Sequence, residues 1–204
     1  MSQTSTASPL LRQLPNALTV LRMLMVPLFA WMLLAHPHEM SWRLATTGIF
    51  VLAILTDTAD GRIARRYNIV STFGKLGDPI ADKALTGMGF IGLSILGELW
   101  WWVTIVILVR EWGITILRFA ILKYGVMAAN RGGKAMTFTQ SIALGLYLLW
   151  LAQLPGPVRW FAWVCMALAF VLTVLTGIDY LREAARLRAS ALARWAAEGH
   201  PGRP

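Results

Sequence analysis

The chain is poor in charge, in acids and in cysteine. Only 14% of its 204 residues are charged, against about a quarter in soluble domains. A folded domain of this length with so thin a polar shell cannot present a water-soluble surface all round. Cys165 is the single cysteine, lying in an apolar run, which excludes both a disulfide framework and a cysteine metal site. Residues 1–8 are polar and uncharged, without the basic start and short apolar core of a cleavable leader.

Apolar residues are abundant, at 57%. A bilayer core of about 30 Å takes roughly 20 apolar residues as a helix. Six stretches meet or approach that length: about 15–35, 42–57, 79–97, 99–120, 137–154 and 158–178. His36-Pro37-His38, Gly97-Glu98 and Leu154-Pro155-Gly156-Pro157 punctuate the breaks. The expectation is an all-α, polytopic membrane protein with six transmembrane helices. A juxtamembrane segment 1–13 precedes a catalytic domain 14–180, and a basic cytoplasmic tail 181–204 follows it.

Net charge is +9, from 15 Arg and 4 Lys against 10 acids. With the N-terminus inside, the inner segments hold 14 of the 19 basic residues, while the outer ends hold only Arg43 and Arg159. The positive-inside rule therefore puts both termini in the cytoplasm, and the basic surplus is assigned to anionic membrane lipids rather than to nucleic acid. Trp100, Trp101 and Trp102 fall on the outer side, as an interfacial aromatic belt does. The basic, helix-prone stretch 180–195 is expected to lie along the inner surface.

Four of the ten acids are Asp57, Asp60, Asp78 and Asp82, at the inner ends of the second and third spans. On helices, spacings of three and four put each pair on one face. Four converging carboxylates need cationic compensation, and hard oxygen ligands suit Mg²⁺ or Mn²⁺. The competing account is that each aspartate pairs with Arg62, Arg65, Arg66 or Lys83. Ionisable groups at membrane depth are expensive, and functional more often than not. Gly61, Ala64 and Gly74 leave a groove beside the acids, unless they serve only close helix packing. Arg65, one turn beyond Gly61, is within reach of a phosphate there.

As a string, Asp57-x2-Asp60-Gly61-x2-Ala64-Arg65-x8-Gly74-x3-Asp78-x3-Asp82 resembles the signature of the CDP-alcohol phosphotransferases at all eight positions. The resemblance implies a six-helix fold, a homodimer and an active site open to the cytoplasm of a bacterial plasma membrane. It implies two divalent ions, one on Asp57, Asp60 and Asp78, the other on Asp57, Asp78 and Asp82. Asp82 would also be the catalytic base. Gly61, Ala64, Arg65 and Gly74 would line the CDP-lipid site, with Ser71 a further contact and Thr19 and Arg22 of the first span beside them.

Beyond the signature, several stretches resemble the branch of that family whose substrates are CDP-diacylglycerol and glycerol 3-phosphate. They are residues 14–22, Asp78-Pro79-Ile80-Ala81-Asp82-Lys83, Arg110-Glu111 with Arg118, Gly133-Lys134 leading to Thr137 and Gln140, and Thr176-Gly177-Ile178-Asp179-Tyr180. Met136 departs from that pattern, standing where a second basic residue is common. An acceptor carrying a phosphate needs cations, and Arg110, Arg118 and Lys134 are the candidates. Arg110 lies about 16 Å into its span at helical rise. There it pairs internally with Glu111 or another acid, serves as an anion site, or does both. Inositol phosphate or phosphatidylglycerol as acceptor is the nearest alternative. A cation transporter would account for the acids but not for the glycine, alanine and arginine between them.

Overall fold

The computed structural model describes residues 9–67, 72–121 and 131–197, and within these the side chains of 20–56, 80, 83–121 and 132–194. Every regular element among them is helical. In chain order they are α1 (Pro9–Ala35), α2 (Met40–Tyr67), α3 (Thr72–Ile95), α4 (Trp101–Ile121), α5 (Arg131–Leu148), a short 3₁₀ turn at Leu151–Gln153, and α6 (Gly156–Ala197).

Helix boundaries follow the local chemistry. Pro9 opens α1, at the position where a missing N–H costs least. At the end of α3 the Gly97 N–H donates to Ser94 O at 3.1 Å and the Glu98 N–H to Leu93 O at 2.9 Å. Gly97 takes φ +74°, so this is a Schellman ending that only glycine adopts without strain. Trp150, also left-handed at φ 61°, separates α5 from the 3₁₀ turn. The expected segment boundary near 180 is not marked by a helix end, because α6 runs unbroken for 42 residues.

Two compact units make up the chain, Met1–Leu99 with Leu144–Arg159, and Trp100–Ala143 with Trp160–Pro204. In the first, α1 packs on both α2 and α3, and α2 touches α3. Glycines allow the close approach: a Cβ at Gly92 would lie 2.5 Å from Leu33 Cδ2, and one at Gly89 would lie 2.8 Å from Leu144 Cδ2. Small residues play this part wherever helices associate without much hydrophobic drive. Phe29 and Phe50 fill the core at a ring separation of 6.2 Å.

The turn between α1 and α2 is built from aromatics. His36 stacks on Trp42 at 4.3 Å, and Trp31 meets both rings edge-on. The His36 ring also bonds Glu39 at 3.0 Å. Beside it Arg43, fully buried, donates through Nε to Pro37 O at 2.9 Å and through Nη2 to the Glu98 carboxylate. Burial pushes the Glu98 carboxyl above the usual carboxylate range, against the opposing pull of Arg43. The pair ties the α1–α2 turn, the start of α2 and the α3–α4 turn together.

In the second unit Trp102 meets Phe170 edge-on at 5.1 Å. Gln140 donates to Thr173 Oγ1 at 2.9 Å in a buried bond between α5 and α6. Among the described residues, one helix stretch, Gly156–Arg194, is long and apolar enough to cross a bilayer. Only 33% of its most apolar window is buried within the protein, so it is not the core helix of a soluble domain. Shorter apolar stretches are Val20–Ala35, Met40–Thr56 and Lys83–Ile95. Large apolar side chains lie open on every helix with described side chains, Leu24, Leu55, Ile95, Val109, Phe138 and Trp160 among them. A surface of this kind suits lipid, not water.

Candidate active site

The signature falls wholly on two helices that touch. Asp57, Asp60, Gly61, Ala64 and Arg65 are all within α2, and Gly74, Asp78 and Asp82 within α3. At helical periodicity the five α2 positions share one stripe, with successive offsets of three, one, three and one. The three α3 positions, four apart, likewise share one. Helix therefore continues well past the apolar runs, and the signature residues hold a fixed helical register.

The side chains of these eight residues lie outside the described ones, as does that of Thr19 on α1. Ser71 is itself outside the described residues. Among the described residues no group of three or more His, Cys, Asp or Glu could hold a metal ion. The donor set on α2 and α3 fits a hard divalent cation: four carboxylates and no soft ligand. Arg22, on α1, is 2% exposed, a guanidinium buried in the helix that packs on both signature helices.

The second unit holds the other cations. Arg110 of α4 donates through Nη1 to Glu111 Oε1 at 2.8 Å and through Nη2 to Thr176 Oγ1 at 3.1 Å. Of the two accounts of Arg110, the internal pair with Glu111 is present. Its Nε is buried without a partner. Arg118, one turn before the end of α4, is exposed and donates through Nη2 to the Tyr180 hydroxyl at 2.9 Å. Its guanidinium carbon lies 5.1 Å from the centre of the Tyr180 ring, and that of Arg110 lies 5.6 Å from it. Lys134, in the first turn of α5, is exposed. Its neighbour Gly133 lies against Tyr180, since a Cβ there would be 3.3 Å from the phenolic oxygen.

Sequence reasoning quoted Thr176 and Tyr180 as parts of a motif but gave neither a role. The signal was present: they are four apart on α6, one above the other, and near the apolar boundary. Met136 is 1% exposed, and its sulfur accepts the Thr176 hydroxyl at 3.3 Å. The departure from the expected basic residue thus sits in helix packing between α5 and α6.

The family model described as CDP-alcohol phosphatidyltransferase matches residues 12–175. The chain is similar to a probable phosphatidylglycerophosphate synthase of Mycobacterium tuberculosis, 48% identical over 174 residues, covering 85% of this chain and 82% of that protein. It is similar to a CDP-diacylglycerol–glycerol-3-phosphate 3-phosphatidyltransferase of Bacillus subtilis, at 36% identity over 83% of this chain and 94% of that one. A CMP-forming cardiolipin synthase of Streptomyces coelicolor is 31% identical over 85% of this chain and 83% of its own length.

Proposed function

The chain belongs to the CDP-alcohol phosphatidyltransferase family, and we infer that it transfers the phosphatidyl group of CDP-diacylglycerol to glycerol 3-phosphate, giving phosphatidylglycerophosphate and CMP. The observation that carries this reading is the eight-position signature, held on single stripes of two touching helices. The names of the relatives at 36–48% identity support glycerol 3-phosphate as acceptor.

In the reaction the acceptor hydroxyl oxygen attacks the lipid-bearing phosphorus. The phosphorus–oxygen bond to CMP breaks, CMP departs with that electron pair, and Asp82 takes the hydroxyl proton. Asp57, Asp60 and Asp78 would hold one Mg²⁺ or Mn²⁺ and Asp57, Asp78 and Asp82 a second, to supply charge compensation for the pyrophosphate. Gly61, Ala64, Arg65, Ser71 and Gly74, with Thr19 and Arg22, bind the CDP-lipid. Arg118 and Lys134 bind the acceptor phosphate. Arg110 joins them with the donors left over from its bonds to Glu111 and Thr176.

The setting is a six-span homodimer in a bacterial plasma membrane, with termini and active site cytoplasmic. The open apolar surface and the basic inner segments support it. A second acceptor, phosphatidylglycerol, is favoured by the cardiolipin synthase relative alone. Purified protein should release CMP from CDP-diacylglycerol with glycerol 3-phosphate, and not with phosphatidylglycerol or inositol phosphate. Turnover with another acceptor alone would reassign the substrate, and no CMP release with any would remove the enzymatic reading.

A further inference from the structure

Tyr180 has three cation-bearing segments around one phenol. Arg118 of α4 bonds its hydroxyl at 2.9 Å, and Arg110, two turns earlier on α4, lies over its ring. Gly133 of α5, the residue before Lys134, lies near the same oxygen, 3.3 Å from where a Cβ would stand. Tyr180 itself is 5% exposed and so held rigidly, whereas Arg118 is exposed. Among the described residues Arg118 has no carboxylate partner, and its one hydrogen bond is to Tyr180.

That combination points away from simple packing. Two guanidiniums within 6 Å of one ring centre repel each other, and among the described residues only Arg110 has an acid to compensate it. An exposed arginine on a helix end would sample many rotamers, and ordering it on binding an anion would cost side-chain entropy. A rigid phenol that takes one of the five N–H donors fixes the guanidinium plane and leaves the others for an anion.

We propose that Tyr180 is a positioning residue for the acceptor: its hydroxyl holds the Arg118 guanidinium in the orientation that receives the phosphate of glycerol 3-phosphate. The proposal rests on the reading of Arg118 as an acceptor-phosphate ligand. Gly133 borders the same device, because a Cβ there would make a tight contact with the phenolic oxygen that holds Arg118.

Steady-state kinetics of the full chain, with each substrate varied, test it on Tyr180→Phe, Arg118→Ala and the double variant. Phenylalanine keeps the packing and the ring, and the arginine it releases is already exposed to water, so the variant folds. The expected result for Tyr180→Phe is a rise of about three- to tenfold in KM for glycerol 3-phosphate, the size of one hydrogen bond. The KM for CDP-diacylglycerol and kcat stay as they are. Adding Tyr180→Phe to Arg118→Ala causes no further rise, since the tyrosine acts through the arginine. Gly133→Ala raises the same constant in the same direction. Equal rises in both KM values, an additive double variant, or an unchanged acceptor KM in Tyr180→Phe beside a raised one in Arg118→Ala overturns the positioning role and leaves the acceptor site standing. An unchanged acceptor KM in Arg118→Ala overturns the acceptor site, and the role of Tyr180 with it.

Discussion

Replacing Glu98 separates two things that a buried ion pair supplies, charge attraction and a hydrogen-bond acceptor. Arg43 is 0% exposed, and Glu98 is its one acidic partner among the described residues. Glu98→Ala removes both acceptor and charge, leaving a guanidinium in the core with only Pro37 O for company. Breaking a buried pair from one side costs about 3–5 kcal/mol. At about 2–4 °C per kcal/mol for a chain of this size, the melting temperature falls by roughly 6–20 °C. Glu98→Gln keeps the acceptor and loses only the charge.

Because burial already holds the Glu98 carboxyl above its ordinary value despite Arg43, the charge is the costly part of the pair. The glutamine variant, which still gives Arg43 an acceptor, should therefore lose less stability at neutral pH than the alanine variant. The sign of the pH dependence follows from the same shift. A folded-state value raised above the unfolded one means that the folded chain binds the proton more readily. This group's contribution is complete below the ordinary carboxylate range and is lost as pH rises through the folded value. Wild type should lose stability relative to Glu98→Gln over that interval. Thermal unfolding in detergent, followed by tryptophan fluorescence across pH, gives all of these values. Activity below the transition should be unaffected, since Arg43 precedes Asp57 by 14 residues on α2, or about 21 Å. A glutamine variant as damaged as the alanine variant would refute the argument. So would an alanine variant as stable as wild type.

At the signature, Asp57→Asn and Asp78→Asn should each abolish CMP release, as should excess EDTA on wild type, and restoration by added Mg²⁺ or Mn²⁺ should reverse only the EDTA effect. Full turnover in EDTA would remove the cation from the scheme. Asp82→Asn should lose turnover while CDP-diacylglycerol binding, read by calorimetry in detergent, survives. A loss of binding equal to that of Asp57→Asn would make Asp82 chiefly a ligand. Arg118→Ala and Lys134→Ala should each raise the KM for glycerol 3-phosphate about ten- to a hundredfold, the worth of a charge-assisted contact, with little change for the CDP-lipid. Equal rises for both substrates would dissolve the distinction between the two sites.

The helices were legible wherever apolar runs met punctuation. The breaks at 36–38 and 97–98 fall between helices, the one at 154–157 runs into the first two residues of α6, and Gly97 takes a left-handed φ. The inner helix ends were not legible, because apolarity marks where a membrane stops and not where a helix does. The stretch after Asp57 and the stretch after Tyr180 are rich in alanine, arginine and leucine, all strong helix formers, so α2 and α6 continue past their apolar runs. The signature could be read in full because it depends on spacings of three and four along single helices. Contacts between helices have no such local rule. Arg118 meets Tyr180 across 62 residues and Arg43 meets Glu98 across 55, and no spacing in the chain announces either.

Arg110 shows where the boundary of that legibility lies. Its neighbour Glu111 made an internal pair conceivable, yet adjacent helical residues point about 100° apart and do not ordinarily face each other. The two side chains meet at 2.8 Å because both are long, while the second arm of the guanidinium is drawn to Thr176 on another helix. These two bonds use two of its five N–H donors, and Nε is buried without a partner, so the internal pair leaves donors over. An arginine deep in an apolar helix is thus held both by its own helix and by α6. The buried Met136 fits the same logic. A basic residue at that 1%-exposed position would have to displace the Thr176 contact and find its own acid.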